Sequence, residues 1–94
     1  MDQTKNLTVK ETFNLAVKNH QGGKNDIALE LYNQVVEIDP NHSSALNNLG
    51  VIYENLGENQ KAKDCYEKAI ELKPDYAEAL TNLAGTMVHR KVKT

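Results

Sequence analysis

Residues 43–76 read SSALNNLGVIYENLGENQKAKDCYEKAIELKPDY, and this stretch of 34 residues decides the fold because the chain on either side repeats it. Moved by 34 positions, Asn48-Leu49 falls on Asn14-Leu15 behind it and on Asn82-Leu83 ahead of it, and Pro74 falls on Pro40. The same shift superposes Asn59 on Asn25, Ala62 on Ala28, Tyr66 on Tyr32, Glu71 on Glu37, Ala79 on Ala45 and Leu80 on Leu46. A period of this length belongs to all-α helix-turn-helix solenoids, whose units cannot bury their apolar faces alone and stack to leave an extended concave wall. Function is to be sought on that wall.

Composition narrows the classes. At 94 residues the chain is one domain, of a size that buries only roughly 60–65 % of the surface its unfolded form exposes. Its 11 basic and 13 acidic residues are interleaved, with a net charge of -2, so no basic stripe offers itself to a phosphate backbone and nucleic acid is not an expected partner. Cys65 is the only cysteine and cannot close an intramolecular disulfide, which points to a reducing, cytoplasmic setting. Met1 to Leu7 is polar, and no run approaches the roughly 18 apolar residues of a membrane span, so neither secretion nor a membrane partner is expected. No Gly-rich phosphate loop, nucleophile elbow or Asp/Glu/His cluster occurs, and catalysis and cofactors are not expected. His20, His42 and His89 lack the spacing of a helical metal site and read as solvated.

The local signals give five helices. Thr8 and Glu11 form a capping box that opens the first, and Gly22 and Gly23 close it. The second runs from Asn25 to about Glu37 or Ile38, where Pro40 removes a donor and pushes Asp39 out of the helical region. The third starts near Asn41 to Ser43, carries Leu46, Leu49, Gly50 and Tyr53 on one stripe, and ends at Gly57; Gly50 should admit a neighbouring helix closely. Asn59 is expected to cap the fourth, which bears Ala62, Tyr66, Ala69, Ile70 and Leu72 and stops at Pro74. Asp75 is expected to cap the fifth, followed by Leu80, Leu83, Ala84, Met87, Val88 and a basic tail. Tyr32, Tyr53 and Tyr66 fall on apolar stripes as packing residues, and Cys65, replacing Leu31 one period later, reads as a half-buried filler.

Leu46, Leu49-Gly50, Tyr53, Gly57, Ala62, Tyr66, Ala69 and Pro74 together resemble the tetratricopeptide repeat signature, with Leu46 where the family usually has tryptophan. The preceding unit fits more loosely, with Thr12 and Asn19 in place of an apolar residue and an aromatic, on what should be an exposed first helix. The resemblance implies a right-handed α-solenoid of antiparallel hairpins: an N-terminal tail over 1–7, repeats over 9–42 and 43–76, the first helix of a third repeat or a cap over 77–90, and a tail over 91–94. It also implies a protein-binding scaffold without catalysis.

In such a family the first helix of each repeat lines the concave surface. Residue matching then sets Lys10, Phe13, Asn14 and Val17 beside Ser44, Asn47, Asn48 and Val51, and next to Glu78, Thr81, Asn82 and Gly85. A side-chain amide presents a donor beside an acceptor, the complement of a peptide unit, so Asn14, Asn48 and Asn82 could grip an extended main chain. The three resemble the asparagine ladder of the O-linked N-acetylglucosamine transferase superhelix; the competing reading is that they bond neighbouring helices. The family's carboxylate clamp for chaperone tails retains only Asn48 here, and Glu78 would repel such a tail. Nothing covers the fifth helix, so Leu80, Leu83, Met87 and Val88 offer a self-association surface. Besides a peptide-binding adaptor, the pattern is compatible with the N-terminal, substrate-presenting part of a larger enzyme such as a glycosyltransferase, or with an end-to-end assembly unit.

Overall fold

The computed structural model describes the backbone of residues 7–92 and the side chains of residues 7–86. Five helices follow one another: α1 (Val9–Gln21), α2 (Asn25–Ile38), α3 (Ser43–Asn55), α4 (Asn59–Leu72) and α5 (Ala77–Val92), and the described residues contain no strand. The molecule is elongated, with extents of 52 × 26 × 17 Å. The most extensive packing lies inside the hairpins α1–α2 and α3–α4; α2 meets α3, α4 meets α5, and α3 touches α5 along a thinner line.

The boundaries follow local chemistry. Thr8 and Glu11 make the reciprocal capping box, with Glu11 N–H donating to Thr8 Oγ1 at 3.0 Å and Thr8 N–H donating to Glu11 Oε1 at 2.9 Å. The turns inside both hairpins pass through a glycine at positive φ, 79° at Gly23 and 83° at Gly57, a region L side chains rarely adopt. Asp39 and Lys73 end α2 and α4 by leaving the helical region, at φ -127°, ψ 84° and φ -144°, ψ 85°, just before Pro40 and Pro74.

Two expected caps are corrected. Asn59 is the first residue inside α4; the capping position is Glu58, whose side chain makes no capping bond. Asp75 lies in a turn two residues ahead of α5, and Tyr76 O accepts the first helical bond, from Leu80 N–H at 3.0 Å. Tyr76, between this turn and α5, is half-buried and packs against Leu46, Ala69 and Ala79. Thr12 is a third correction. It is not on an exposed surface but 6 % accessible, and it tolerates burial because its hydroxyl donates to Thr8 O at 2.9 Å.

The core runs through the hairpins. Ala16, Ala28, Tyr32, Val35, Ala45, Leu49 and Ile52 form one buried cluster joining α1, α2 and α3, and Leu46, Ala69 and Ala79 form another joining α3, α4 and α5. Small residues let the helices approach, and the tyrosines fill what remains. At Gly50 the approach is extreme: a Cβ there would lie 2.7 Å from Tyr66 Cδ1 and 2.8 Å from Cζ, against a ring that is 0 % exposed and has nowhere to move.

Candidate peptide-binding groove

The residues expected on the wall divide into three groups by what surrounds them. Lys10, Asn14 and Thr81 are exposed, and none donates or accepts a side-chain hydrogen bond with another described residue. Phe13, Val17, Ser44, Val51, Asn48 and Asn82 are half-buried, whereas Gly85 and Glu78 are exposed. Asn47 lies beneath the surface at 1 % exposure. Leu80 is 44 % exposed and Leu83 half-buried, while the side chains of Met87 and Val88 lie outside the described residues.

Hydrogen bonds tie the amides to the scaffold. Asn48 Nδ2 donates to Tyr32 Oη at 3.2 Å, joining α3 to α2. Asn82 Nδ2 donates to Asn47 Oδ1 at 3.0 Å, and Asn47 Nδ2 donates to Glu78 Oε1 at 3.2 Å, so a relay of three side chains joins α5 to α3. Asn47 Nδ2 also approaches Asn48 Oδ1 at 3.5 Å. Asn48 and Asn82 therefore do bond neighbouring helices, as the competing reading had it. Each nevertheless keeps part of its hydrogen-bonding capacity, since an amide carries two donor hydrogens and an acceptor oxygen.

At the α1 end the wall is aromatic. Phe13 stacks on His42 with centroids 4.7 Å apart and meets Tyr32 at 5.8 Å, and His20 stands edge-on to Tyr32 at 6.2 Å. His42, expected to be solvated, is half-buried. It is the cap of α3, with Nδ1 accepting from Ala45 N–H at 3.1 Å. Histidine is not among the preferred capping residues, so no signal marked it.

Titratable groups in the core are held neutral. Burial raises the Tyr66 hydroxyl well above its ordinary range, and its bond to Glu54 Oε1 at 2.7 Å adds to the effect. Burial also raises Tyr32, with the Asn48 bond opposing. Burial, then the charge of Asp64, pushes the Cys65 thiol from 9.0 up to about 11, so the thiolate is scarce near neutrality. Among the described residues no group of three histidine, cysteine or acidic side chains could hold a metal, and no helix is long and apolar enough to cross a membrane. Two open depressions, about 480 Å³ on α2 beside Glu30, Gln34 and Glu37 and about 350 Å³ at the α1–α2 turn, lie away from the wall residues.

Residues 43–76 match the family description "Tetratricopeptide repeat" and residues 19–57 match "TPR repeat", so the matched stretches together run from 19 to 76. The chain belongs to the tetratricopeptide repeat family. Among curated tetratricopeptide-like relatives it is similar to the Photosystem I assembly protein Ycf3 of Rippkaea orientalis, 44 % identical over 41 residues, a match covering 44 % of this chain and 24 % of that protein. It thus spans about a quarter of that relative's length.

Solved structures agree on the repeat architecture. MamA superposes with a TM-score of 0.84 at 21 % identity, over 89 % of this chain and 46 % of that one, and an arginine-to-glutamate mutant of MamA with 0.80 at 28 %, over 88 % and 61 %. The first TPR of Spaghetti (RPAP3), bound to the HSP90 peptide SRMEEVD, superposes with 0.85 at 23 % identity, over 89 % of this chain and 67 % of that one. Likeness at 21–23 % identity shows the solenoid fold. Tetratricopeptide repeats are typically non-catalytic scaffolds that use the concave surface of the stack, and membership supports a role in protein–protein interaction.

Proposed function

We propose that the wall of α1, α3 and α5 binds an extended segment of a partner polypeptide and holds its main chain through side-chain amides. The observation that carries this reading is the state of Asn14, Asn48 and Asn82: one per repeat, none buried, each with donors or an acceptor left over after its internal bonds. Phe13, Val17 and Val51 add apolar contact beside them. Lys10, Ser44, Thr81 and Gly85 border the track, and Asn47 acts from below by fixing Asn82. An acidic tail such as the SRMEEVD peptide of the RPAP3 complex would meet the like charge of Glu78, which disfavours that class of ligand here.

Asn14 provides the cleanest test, because it supports no described neighbour. A peptide recovered from a random displayed library against the whole chain should lose about threefold to tenfold in affinity on Asn14→Ala, the equivalent of one hydrogen bond. Asn48→Ala should weaken it similarly while also releasing Tyr32. Unchanged affinity in a variant lacking all three amides, with helicity preserved, would overturn the proposal.

A second reading, self-association through α5, is favoured by one contrast: Leu46 is 9 % exposed under α4 and its equivalent Leu80 is 44 % exposed. Where α3 presents Ala45 and Ile52, the outer end of the stack carries Glu11 and Lys18 on α1. That polar end does not complement an apolar one, so association would pair α5 with α5 rather than run end to end. Light scattering should then show a dimer at high concentration that Leu80→Glu abolishes; a monomer throughout would exclude it.

A further inference from the structure

We propose that Glu78 reads charge: it selects partner segments that place a lysine or arginine side chain where they cross α5. The inference rests on the groove reading above and adds to it a preference that main-chain recognition cannot supply.

The equivalent wall position carries Lys10 on α1, Ser44 on α3 and Glu78 on α5, so the track changes from basic through neutral to acidic along its length. An acidic residue in the first turn of a helix is ordinarily explained by the helix dipole. The dipole does not explain why Glu78 is held. Asn47 stands where the first repeat has Phe13, and its amide is 1 % exposed, so it has been placed in the interior at a cost that only satisfied hydrogen bonds offset. Those bonds run to Asn82, which donates to its oxygen, and to the carboxylate of Glu78, which accepts from its nitrogen. A buried amide thus orients an exposed carboxylate beside one of the amides proposed to grip the ligand.

Among the described residues of the same helix face no cation compensates the charge. The residues three and four positions after Glu78 are Thr81 and Asn82, and the residue four before is Pro74. The carboxylate has a second oxygen, and one fixed by Asn47 loses less side-chain freedom on meeting a cation than a freely rotating one. Charge complementarity therefore names the occupant: an extended polypeptide segment that carries a basic side chain where it crosses α5. Asn47 is a positioning residue in this account.

The test is library selection against the whole chain, run in parallel on the natural sequence, Glu78→Gln and Glu78→Lys. Glutamine keeps an oxygen for the Asn47 amide, so the Gln variant removes the charge without breaking the relay. The natural chain should enrich lysine and arginine at one register position, Glu78→Gln should lose that enrichment while still recovering peptides, and Glu78→Lys should replace it with aspartate and glutamate. A recovered basic peptide should bind Glu78→Gln about threefold to fivefold more weakly, and its salt dependence should shrink. Peptides recovered with no basic excess, or an excess that survives Glu78→Gln, would overturn the charge reading and leave the groove reading intact. A selection that recovers nothing would overturn the groove reading and this inference with it.

Discussion

Asn48 and Asn82 occupy the same position in successive repeats, yet they are bonded differently. Asn48 donates to Tyr32, sixteen residues before it, whereas Asn82 ignores the equivalent Tyr66 and donates to Asn47. Tyr66 in turn donates to Glu54. Two differences between the repeats explain the rerouting. Position 47 is asparagine where the first repeat has Phe13, so a carbonyl is on offer to the incoming amide; position 54 is glutamate where the first repeat has His20, so the phenol finds a charged acceptor, the stronger kind. A repeat motif fixes where a side chain stands, and the variable neighbours decide what it bonds to.

The sharpest way to probe the contrast is at the helix crossing itself. Gly50→Ala should destabilise the chain by about 2 kcal/mol in urea unfolding, because contacts this short against the buried Tyr66 ring put the overpacking cost near the upper end of its usual range, about 3 kcal/mol, against the roughly 1 kcal/mol an alanine normally gains over glycine in a helix. The first repeat already has Ala16 at this position, and Ala16→Gly should cost about 1–2 kcal/mol, the backbone penalty of glycine plus the lost burial of a core methyl. A stabilised Gly50→Ala protein would mean that the two crossings are alike.

Next in size is Asn47→Ala. It strands the Asn82 amide and the Glu78 carboxylate, and since both can regain water in part, the loss should be about 1–2 kcal/mol by the same unfolding measurement. Tyr66→Phe should follow at about 1–1.5 kcal/mol, ahead of Tyr32→Phe at about 0.5–1 kcal/mol, because the first loses a bond to a carboxylate and the second a bond to an amide. Equal costs for the two tyrosines would dissolve the distinction drawn between the seams.

The last effect is on pH dependence and is confined to the alkaline range. Burial raises the Cys65 thiol from 9.0 to about 11, so its protonated form is favoured in the fold; the resulting stability is fully present below pH 9 and is lost as pH rises through about 11. The raised Tyr32 and Tyr66 act with the same sign. Stability should therefore fall over this alkaline window, by less in Cys65→Ala, and iodoacetamide should modify Cys65 slowly near neutrality. Rapid alkylation there would show the α3–α4 seam to be open.

Much of this was legible beforehand. The period, the capping box at Thr8, the glycine turns at Gly23 and Gly57 and the closeness demanded by Gly50 are written in residue types whose conformational preferences are strong. The caps of α4 and α5 were not, because Asn59 and Asp75 have the right chemistry one residue from the right place. Thr12 and Asn47 were misplaced for one reason: a polar residue looks exposed until its partner is known, and the partners, Thr8 O, Asn82 and Glu78, are tertiary or local bonds that periodicity does not encode.

The central claim is that partner polypeptides lie along α1, α3 and α5. Side-chain amide NMR during titration with a library-derived peptide tests it directly. The account expects the largest shifts at Asn14, Asn48 and Asn82 and at the methyls of Val17 and Val51, with α2 little changed. Shifts concentrated on Glu30, Gln34 and Glu37, with the three asparagines unmoved, would contradict it.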